Sequence, residues 1–283
     1  MKFSYYPGCS LHATAVEYGS SVQAVFKTLD VELVEIPDWN CCGASSAHNL
    51  NYMLSLCLPA RNIAIAQGQG QALVVPCVGC LSRLKIADGV LRDDPARRQA
   101  VENIVGFSYS GDLRILPPLA IIGDDVGLEQ VRERVRKPLE GLVVACYYGC
   151  LLVRPPEIAQ FDDPEHPQSM DQLMEALGAK TVEWSWSTEC CGAALSLTRR
   201  DIVEHLVTRL VDTARQAGAQ MMVTACPLCQ VNLEMRQKAE GERFPILYFT
   251  ELMGLAFGLE ETERWLGQHL VSPLPLLQSL SLA

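Results

Sequence analysis

A pattern of five cysteines occurs twice in this chain, and it constrains the fold more than any other feature. Cys9 is followed after 31 residues by Cys41-Cys42-Gly43, then after 33 more by Cys77 and Cys80. Cys150 is followed after 39 residues by Cys190-Cys191-Gly192, then again after 33 by Cys226 and Cys229. Ten of the 12 cysteines fall into these two sets. Five thiolates exceed the four that a zinc site or an ordinary cubane cluster uses. The surplus points to an iron–sulfur cluster of unusual build, made twice. In a reducing compartment, so many thiols argue for metal rather than for disulfides.

The halves match beyond their cysteines. YYPGC (5–9) resembles YYGC (147–150), and VVPCVGCLSRL (74–84) resembles VTACPLCQVNL (223–233). The offset between copies is 149 residues at Cys41/Cys190 and at Cys80/Cys229, but 141 at Cys9/Cys150. The second copy therefore carries eight extra residues. They are placed in 154–169, a stretch rich in proline and acid that reads as a loop.

Each copy also repeats one order of elements. A strand (2–6; 141–147) ends at the first cysteine. A helix follows, marked by Val22, Val25, Phe26 and Leu29, or by Met170, Leu173, Met174 and Leu177. A second strand (31–36; 180–184) leads to the CCG loop. A longer helix comes next, marked by Leu50, Met53, Leu54 and Cys57, or by Ile202, Val203, Leu206, Val207 and Leu210. A third strand (72–76; 220–225) ends at the CxxC, where another helix opens. This alternation predicts an α/β protein of two tandem, homologous Rossmann-like domains, each a parallel sheet with its own CCG motif. The domains are expected over 1–138 and 139–283, divided within the charged stretch 127–141. All ten cysteines then lie at carboxyl ends of strands, where open α/β sheets bind ligands.

The sulfur chemistry follows from the spacing. Adjacent cysteines cannot easily bind one metal at ideal angles, so each pair is expected to bind different irons or to bridge them. The glycine after each pair lets the backbone approach and offers an N–H to sulfide. A CxxC that opens a helix sets both sulfurs beside N-terminal amides, which favour the thiolate. A zinc site using four sulfurs, or a reversible disulfide within a CxxC, remains the competing reading.

Other residues are weighed against ordinary structural roles. Cys57 reads as a small core residue on an apolar helical stripe, and Cys146 as part of a buried strand, though it is the one spare cysteine able to approach a cluster. His12 and His48 follow cysteine motifs and are candidate proton donors to a product thiolate. Arg83, Lys85, Arg199 and Arg200 are candidates to hold an anionic substrate or to offset cluster charge. His166 reads as solvated. Trp39, Trp184 and Trp186 precede the CCG motifs and are expected to shield the clusters from water. The apolar tail 271–283 is expected to dock on this protein or on a partner.

The bulk properties narrow the class. A length of 283 residues suits two domains. The mean hydropathy is +0.12, yet no apolar run reaches the roughly 18 residues of a membrane span. No leader opens the chain, so a cytoplasmic location is expected. A net charge of −10 without a basic run excludes nucleic acid as a partner. No GxGxxG precedes a helix, so any flavin belongs to another protein of a complex.

With YYPGC, PDWNCCGASSAHN and the paired CxxC in view, the whole chain resembles the B subunits of heterodisulfide reductases, in their bacterial branch. The resemblance implies two noncubane [4Fe-4S] clusters. Cys9, Cys41, Cys42, Cys77 and Cys80 would hold one, and Cys150, Cys190, Cys191, Cys226 and Cys229 the other. It implies a disulfide or related sulfur bond cleaved or formed between them, as in the methanogen enzyme, where the mixed disulfide of coenzymes M and B lies between the clusters. It also implies two partners: a ferredoxin-like one with cubane [4Fe-4S] clusters, matching the family's C-type component, and a flavin-containing one, matching its A-type component. Two alternatives within the family are sulfane-sulfur oxidation and an electron relay to quinone in a dehydrogenase complex. A pseudo-twofold pairing of the domains would set both clusters on one cleft, with Arg83 or Lys85 on one side and Arg199 or Arg200 on the other.

Overall fold

Strand-forming runs alternate with amphipathic ones, and each half accordingly forms one parallel sheet flanked by helices. The structure, a computed structural model, describes residues 1–44, 47–238 and 243–283. In the first half the strands are β1 (Lys2–Tyr5), β2 (Glu32–Glu35), β3 (Leu73–Val74) and β4 (Ile115–Leu116). In the second they are β5 (Val143–Tyr147), β6 (Lys180–Thr181), β7 (Met221–Thr224) and β8 (Ile246–Tyr248). The spatial orders are β2-β1-β3-β4 and β6-β5-β7-β8, so the halves share one topology. Tyr5 pairs with Val74 across β1 and β3, and Tyr147 with Thr224 across β5 and β7.

The sheets differ from the sequence expectation in two places. Each has a fourth strand, β4 or β8, of only two or three residues, too short to show an alternating pattern. And 180–184 does not run on as a strand past Thr181. The indole N–H of Trp184 donates to the Cys146 carbonyl at 3.0 Å, the acceptor that a continued ladder would have met with a backbone N–H.

Seven helices position the site: α1 (Val16–Thr28), α2 (Tyr52–Gln69), α3 (Val78–Asp93), α4 (Ser169–Ala176), α5 (Arg200–Gln216), α6 (Pro227–Met235) and α7 (Phe249–Phe257). Helices α1, α4 and α5 bury the apolar stripes expected of them, Val22/Val25/Phe26, Met170/Leu173/Met174 and Val203/Val207/Leu210. Helix α2 departs from expectation. Asn51 caps its N-terminus by accepting the Leu54 N–H, so Leu50 lies outside it. Leu50 and Leu54 are 77% and 42% exposed, and the buried stripe is Leu56, Ala60, Ile63 and Ala66.

The halves associate reciprocally. Helix α1 packs on α7, and α4 packs on the helical segments Pro118–Ala120 and Leu128–Arg134. The helix after the first strand of each half thus meets the helices after the last strand of the other, which is pseudo-twofold pairing. At the α1–α7 contact Tyr18 and Tyr248 stack at 4.1 Å, and the Ser21 and Thr250 hydroxyls are 2.6 Å apart. Between the halves the chain is tied to the second domain, since the N–H groups of Arg136 and Lys137 both donate to the Ala256 carbonyl. The tail forms a helix, Leu274–Ser279, and buries Leu277 and Leu282, so it docks on this chain.

A buried charged cluster closes the interface beside α1. His269 lies between Glu234 (Nδ1–Oε1, 3.0 Å) and Glu251 (Nε2–Oε1, 3.0 Å), all three almost wholly buried. Glu17, on α1, faces them, and burial raises its pKa. Burial alone would push His269 down, but the two carboxylates reverse this and raise it to about 10. An unfolded histidine titrates near 6.5. The stabilisation is therefore complete below about pH 6.5 and is lost as the pH rises through about 10. His269→Gln should cost about 3–5 kcal/mol near neutrality, because it strands two buried carboxylates. Denaturant titrations near pH 7 and above pH 10 check this: the gap between wild type and variant should shrink at the higher pH.

Candidate metal centres

In each half, three segments bring five sulfurs together at the carboxyl edge of the sheet. The first is the turn after β1 or β5, which carries Cys9 or Cys150. The second is the CCG loop, which follows β2 or β6. The third is the start of α3 or α6, where Cys77 and Cys226 are the N-cap residues. The topology makes this rim a binding site. In both sheets the chain passes from the first strand to one neighbour and then returns to the other side, leaving a crevice at the carboxyl ends of β1/β3 and β5/β7.

The sulfur contacts repeat between copies. Cys42 Sγ lies 3.1 Å from Cys80 Sγ, and Cys191 Sγ lies 3.6 Å from Cys229 Sγ. Cys9 lies beside Cys41 and Cys150 beside Cys190, and Cys80 and Cys229 feel their own CxxC partners, Cys77 and Cys226. The charge within each set is shared unequally. The Cys80 thiol lowers Cys42 to about 7, and the Cys150 thiol lowers Cys190 to about 6, against the opposing effect of burial. Cys226 is lowered by the Cys229 thiol and further by the N–H groups of Cys229 and Leu228 at the start of α6. Cys80 and Cys229 are correspondingly raised by the thiols beside them.

Two glycines per copy make room. Gly43 and Gly192 both sit at φ +78°, and their N–H groups point at Cys41 and Cys190 Sγ at 3.4 and 3.3 Å. These amides serve the cysteine sulfur itself. A Cβ there would lie 2.8 Å from Ala47 Cβ or 2.9 Å from Leu206 Cδ1. A Cβ on Gly8 or Gly149 would press on Cys80 or Cys229 Sγ at 3.0 or 3.4 Å.

The two rims meet. The Val78 N–H, inside the first CxxC, adds to the lowering of Cys226 in the second. Leu228, inside the second, closes over Gly79 in the first; a Cβ on Gly79 would lie 3.2 Å from its Cδ1. The Tyr18 hydroxyl donates to the Ala225 carbonyl just before Cys226 at 3.0 Å.

The other candidate residues scatter. His12 is exposed, edge-on to Trp39, with Nε2 3.6 Å from Glu35. His48 is exposed in the turn Ala47–Leu50. Arg83 is half-buried on α3, one turn past Cys80, with no ion-pair partner among the described residues. Lys85 donates to the Ala159 carbonyl in the other half, so it latches the loop 154–169 to α3, and burial lowers its pKa. Arg199 clasps Asp201 and Arg200 clasps Glu204, both on exposed surface, so neither stands as a free cation beside the sulfurs. Trp39 meets Tyr6 edge-on, Trp184 is buried, and Trp186 lies under the Arg209 guanidinium at 4.0 Å. His166 is exposed. Cys57 is half-buried on α2. Cys146 is buried, and burial together with nearby Asp171, rather than any sulfur of the second set, raises its pKa. It lines a cavity of about 640 Å³ with Tyr148, Asp171, Trp184 and Arg154.

Several residues at the site carry no role in the sequence pattern. Asn62, fully buried, clamps the backbone N–H and carbonyl of Asn40, the residue before Cys41. In the second half Asn232 donates to the Cys191 carbonyl. A buried asparagine in an amphipathic helix was the available signal. Tyr6 and Tyr147 lie at the floor of the two sets; the doubled tyrosines match between copies, but nothing in the match shows what they bond.

The donor set suits an iron–sulfur cluster. It consists of soft thiolates only, five per site, framed by N–H groups and helix N-termini. Among the described residues, no group of three or more histidines, cysteines or acids has the arrangement of a single-ion site.

A cysteine-rich domain of the CCG type matches residues 3–85 and again 144–234. The chain belongs to this family. This CCG protein is 30% identical to the 8-methylmenaquinol:fumarate reductase membrane anchor subunit of Wolinella succinogenes, over 97% of this chain and 99% of that one. It is 26% identical to the B subunit of the ferredoxin:CoB-CoM heterodisulfide reductase of Methanosarcina mazei, over 99% and 97%. In shape it is similar to a hypothetical protein from Helicobacter pylori, with a TM-score of 0.74 at 14% identity, over 96% of this chain and 52% of that one.

Two substitutions check the ligand assignment. Cys42→Ala should convert or abolish the cluster signal of the first copy alone in the paramagnetic spectrum. Cys57→Ala should leave the iron content unchanged and cost roughly 1 kcal/mol in denaturant titration.

Proposed function

We propose that this CCG protein is the iron–sulfur catalytic component of a heterodisulfide-reductase-like complex, with one noncubane [4Fe-4S] cluster in each half. The observation that carries the proposal is the meeting of the two sulfur rims, where Leu228 of the second CxxC closes over Gly79 of the first. A disulfide has two ends, and two one-electron centres on one interface suit its two-electron cleavage. When bound, the clusters would supply and accept single electrons. The balance is RSSR′ + 2e⁻ + 2H⁺ → RSH + R′SH, with both electrons from a partner carrying cubane clusters, itself fed by a flavin-containing partner. The small disulfide or related sulfur substrate would lie between the rims.

The chain's own residues would bind and protonate. Arg83 is the candidate for an anionic substrate group, since it lies a turn from Cys80 without an acid partner among the described residues. His12 and His48 are exposed near the first rim and are the candidate proton donors to a product thiolate. Lys85 acts indirectly, by holding the loop 154–169 against the first domain. Arg199 is the weakest of the proposed residues, because Asp201 already occupies its guanidinium.

One finding favours a second reading, an electron relay to quinone. A relative over nearly the whole chain bears the name of a menaquinol-linked fumarate reductase component. No helix among the described residues is long and apolar enough to cross a membrane. We place the protein in the cytoplasm, on the other proteins of its complex.

Anaerobically purified protein should contain about eight irons per chain and little zinc, two clusters of four. Reduced by a one-electron dye, it should cleave a small mixed disulfide, and Arg83→Met should raise KM for an anionic disulfide more than for a neutral one. Reducible clusters with no disulfide turnover would leave the relay.

A further inference from the structure

In both halves a tyrosine lies beneath the cysteines and makes the same hydrogen bond. Tyr6 follows β1, and its hydroxyl donates to the Asn40 carbonyl at 2.8 Å. Tyr147 ends β5, and its hydroxyl donates to the Glu189 carbonyl at 2.7 Å. Asn40 and Glu189 immediately precede Cys41 and Cys190. Both tyrosines are fully buried. Each ring also lies against the glycine before the first cysteine: a Cβ on Gly8 or Gly149 would be 3.5 or 3.6 Å away. The phenol therefore joins the turn carrying the first cysteine to the loop carrying the next two.

We infer that Tyr6 and Tyr147 are positioning residues of the two sulfur sets, each fixing the direction in which the CCG loop presents its cysteine pair. The inference rests on the reading of the sulfur sets as cluster ligands. Its physical basis is the rigid peptide plane: a carbonyl held at residue 40 or 189 also fixes the N–H of Cys41 or Cys190. The comparison between copies supports it. The asparagine anchoring of the CCG loop has diverged, with Asn62 and Arg61 in one half and Asn232 and Ser196 in the other. The phenol-to-carbonyl bond is common to both. Tyr5, equally buried one residue earlier, has Cys146 at its place in the second half, so a buried phenol at that position is not a shared requirement.

The test compares Tyr6→Phe and Tyr147→Phe with wild type, and uses Tyr5→Phe as the control that removes a buried hydroxyl nearby. Phenylalanine keeps the ring, and far-UV circular dichroism verifies folding. In iron-free chain, hydrogen exchange of the CCG amides should accelerate roughly fivefold in the altered copy, the fold-change equivalent to one neutral hydrogen bond of about 1 kcal/mol. In chain purified with its iron, that copy's paramagnetic signal should shift or disappear while the other copy's stays. Equal exchange and equal spectra in wild type and both Phe variants would overturn the inference, as would the same changes in Tyr5→Phe. Wild type without iron, together with accelerated loop exchange in Tyr6→Phe, would uphold the phenol's role and overturn the cluster reading instead.

Discussion

The structure depends on the parallel pairing of the first and third strands of each half. That pairing fixes where the chain emerges from β1 and β3, or from β5 and β7, and so fixes the distance between the first cysteine and the CxxC. The edge also supplies the field. At the start of the helix that opens at Cys226 the N–H groups of Leu228 and Cys229 lower that thiol, and the glycine of each CCG loop aims another N–H at sulfur. Five thiols crowded together would otherwise resist ionisation, since each new charge raises the next. The N–H groups and shared protons resolve this by letting one sulfur of a pair ionise at its partner's expense, as Cys42 does against Cys80.

The two halves keep the rim and vary its supports. The first half holds its CCG loop from α2, through Asn62 and Arg61. The second holds it from α6, through Asn232, itself bonded to Ser196, whose carbonyl Arg236 meets. Arg83 stands at the position of Asn232, so the first half has a cation where the second has a structural amide. The second half alone has the loop 154–169 and, beside it, the cavity lined by Cys146, Tyr148 and Asp171; Tyr5 and Pro7 occupy the matching positions in the first. Two equal rims would bind the two ends of a substrate alike. Under the function proposed above, these differences would allow the ends to be distinguished.

Much of this was legible in the sequence, for physical reasons that can be named. The cysteine spacing survives because strand ends fix it, and the helix after each first strand showed itself through Val22, Val25 and Phe26 or Met170, Leu173 and Met174. Strands β4 and β8 did not show, because two or three residues carry no period. Helix α2 was misread because Leu50 and Leu54 fit a helical repeat but face outward, Leu50 beyond the Asn51 cap. The bonds of Tyr6 and Tyr147 were invisible because they go to backbone carbonyls, which have no sequence signature, whereas Asn62 showed only as a polar residue in a helix. Lys85, Arg199 and Arg200 were grouped by their nearness in sequence to cysteines, whereas their partners are Ala159, Asp201 and Glu204.

Joining the halves in one chain has a physical consequence at the interface. Leu228 closes over Gly79 and Lys85 grips Ala159, so each rim is completed partly by the other half. The Tyr18–Tyr248 stack and the Ser21–Thr250 contact secure α1 against α7, while His269 offsets two buried carboxylates beside them. Helix α6 connects these layers. Cys226 caps it, its first turn carries Cys229, and its last carries Glu234, the partner of His269. A displacement of the domain interface would therefore pass along one rigid helix to two sulfurs of the second set. The buried ion cluster and the sulfur rim are opposite ends of the same element, and holding one constrains the other.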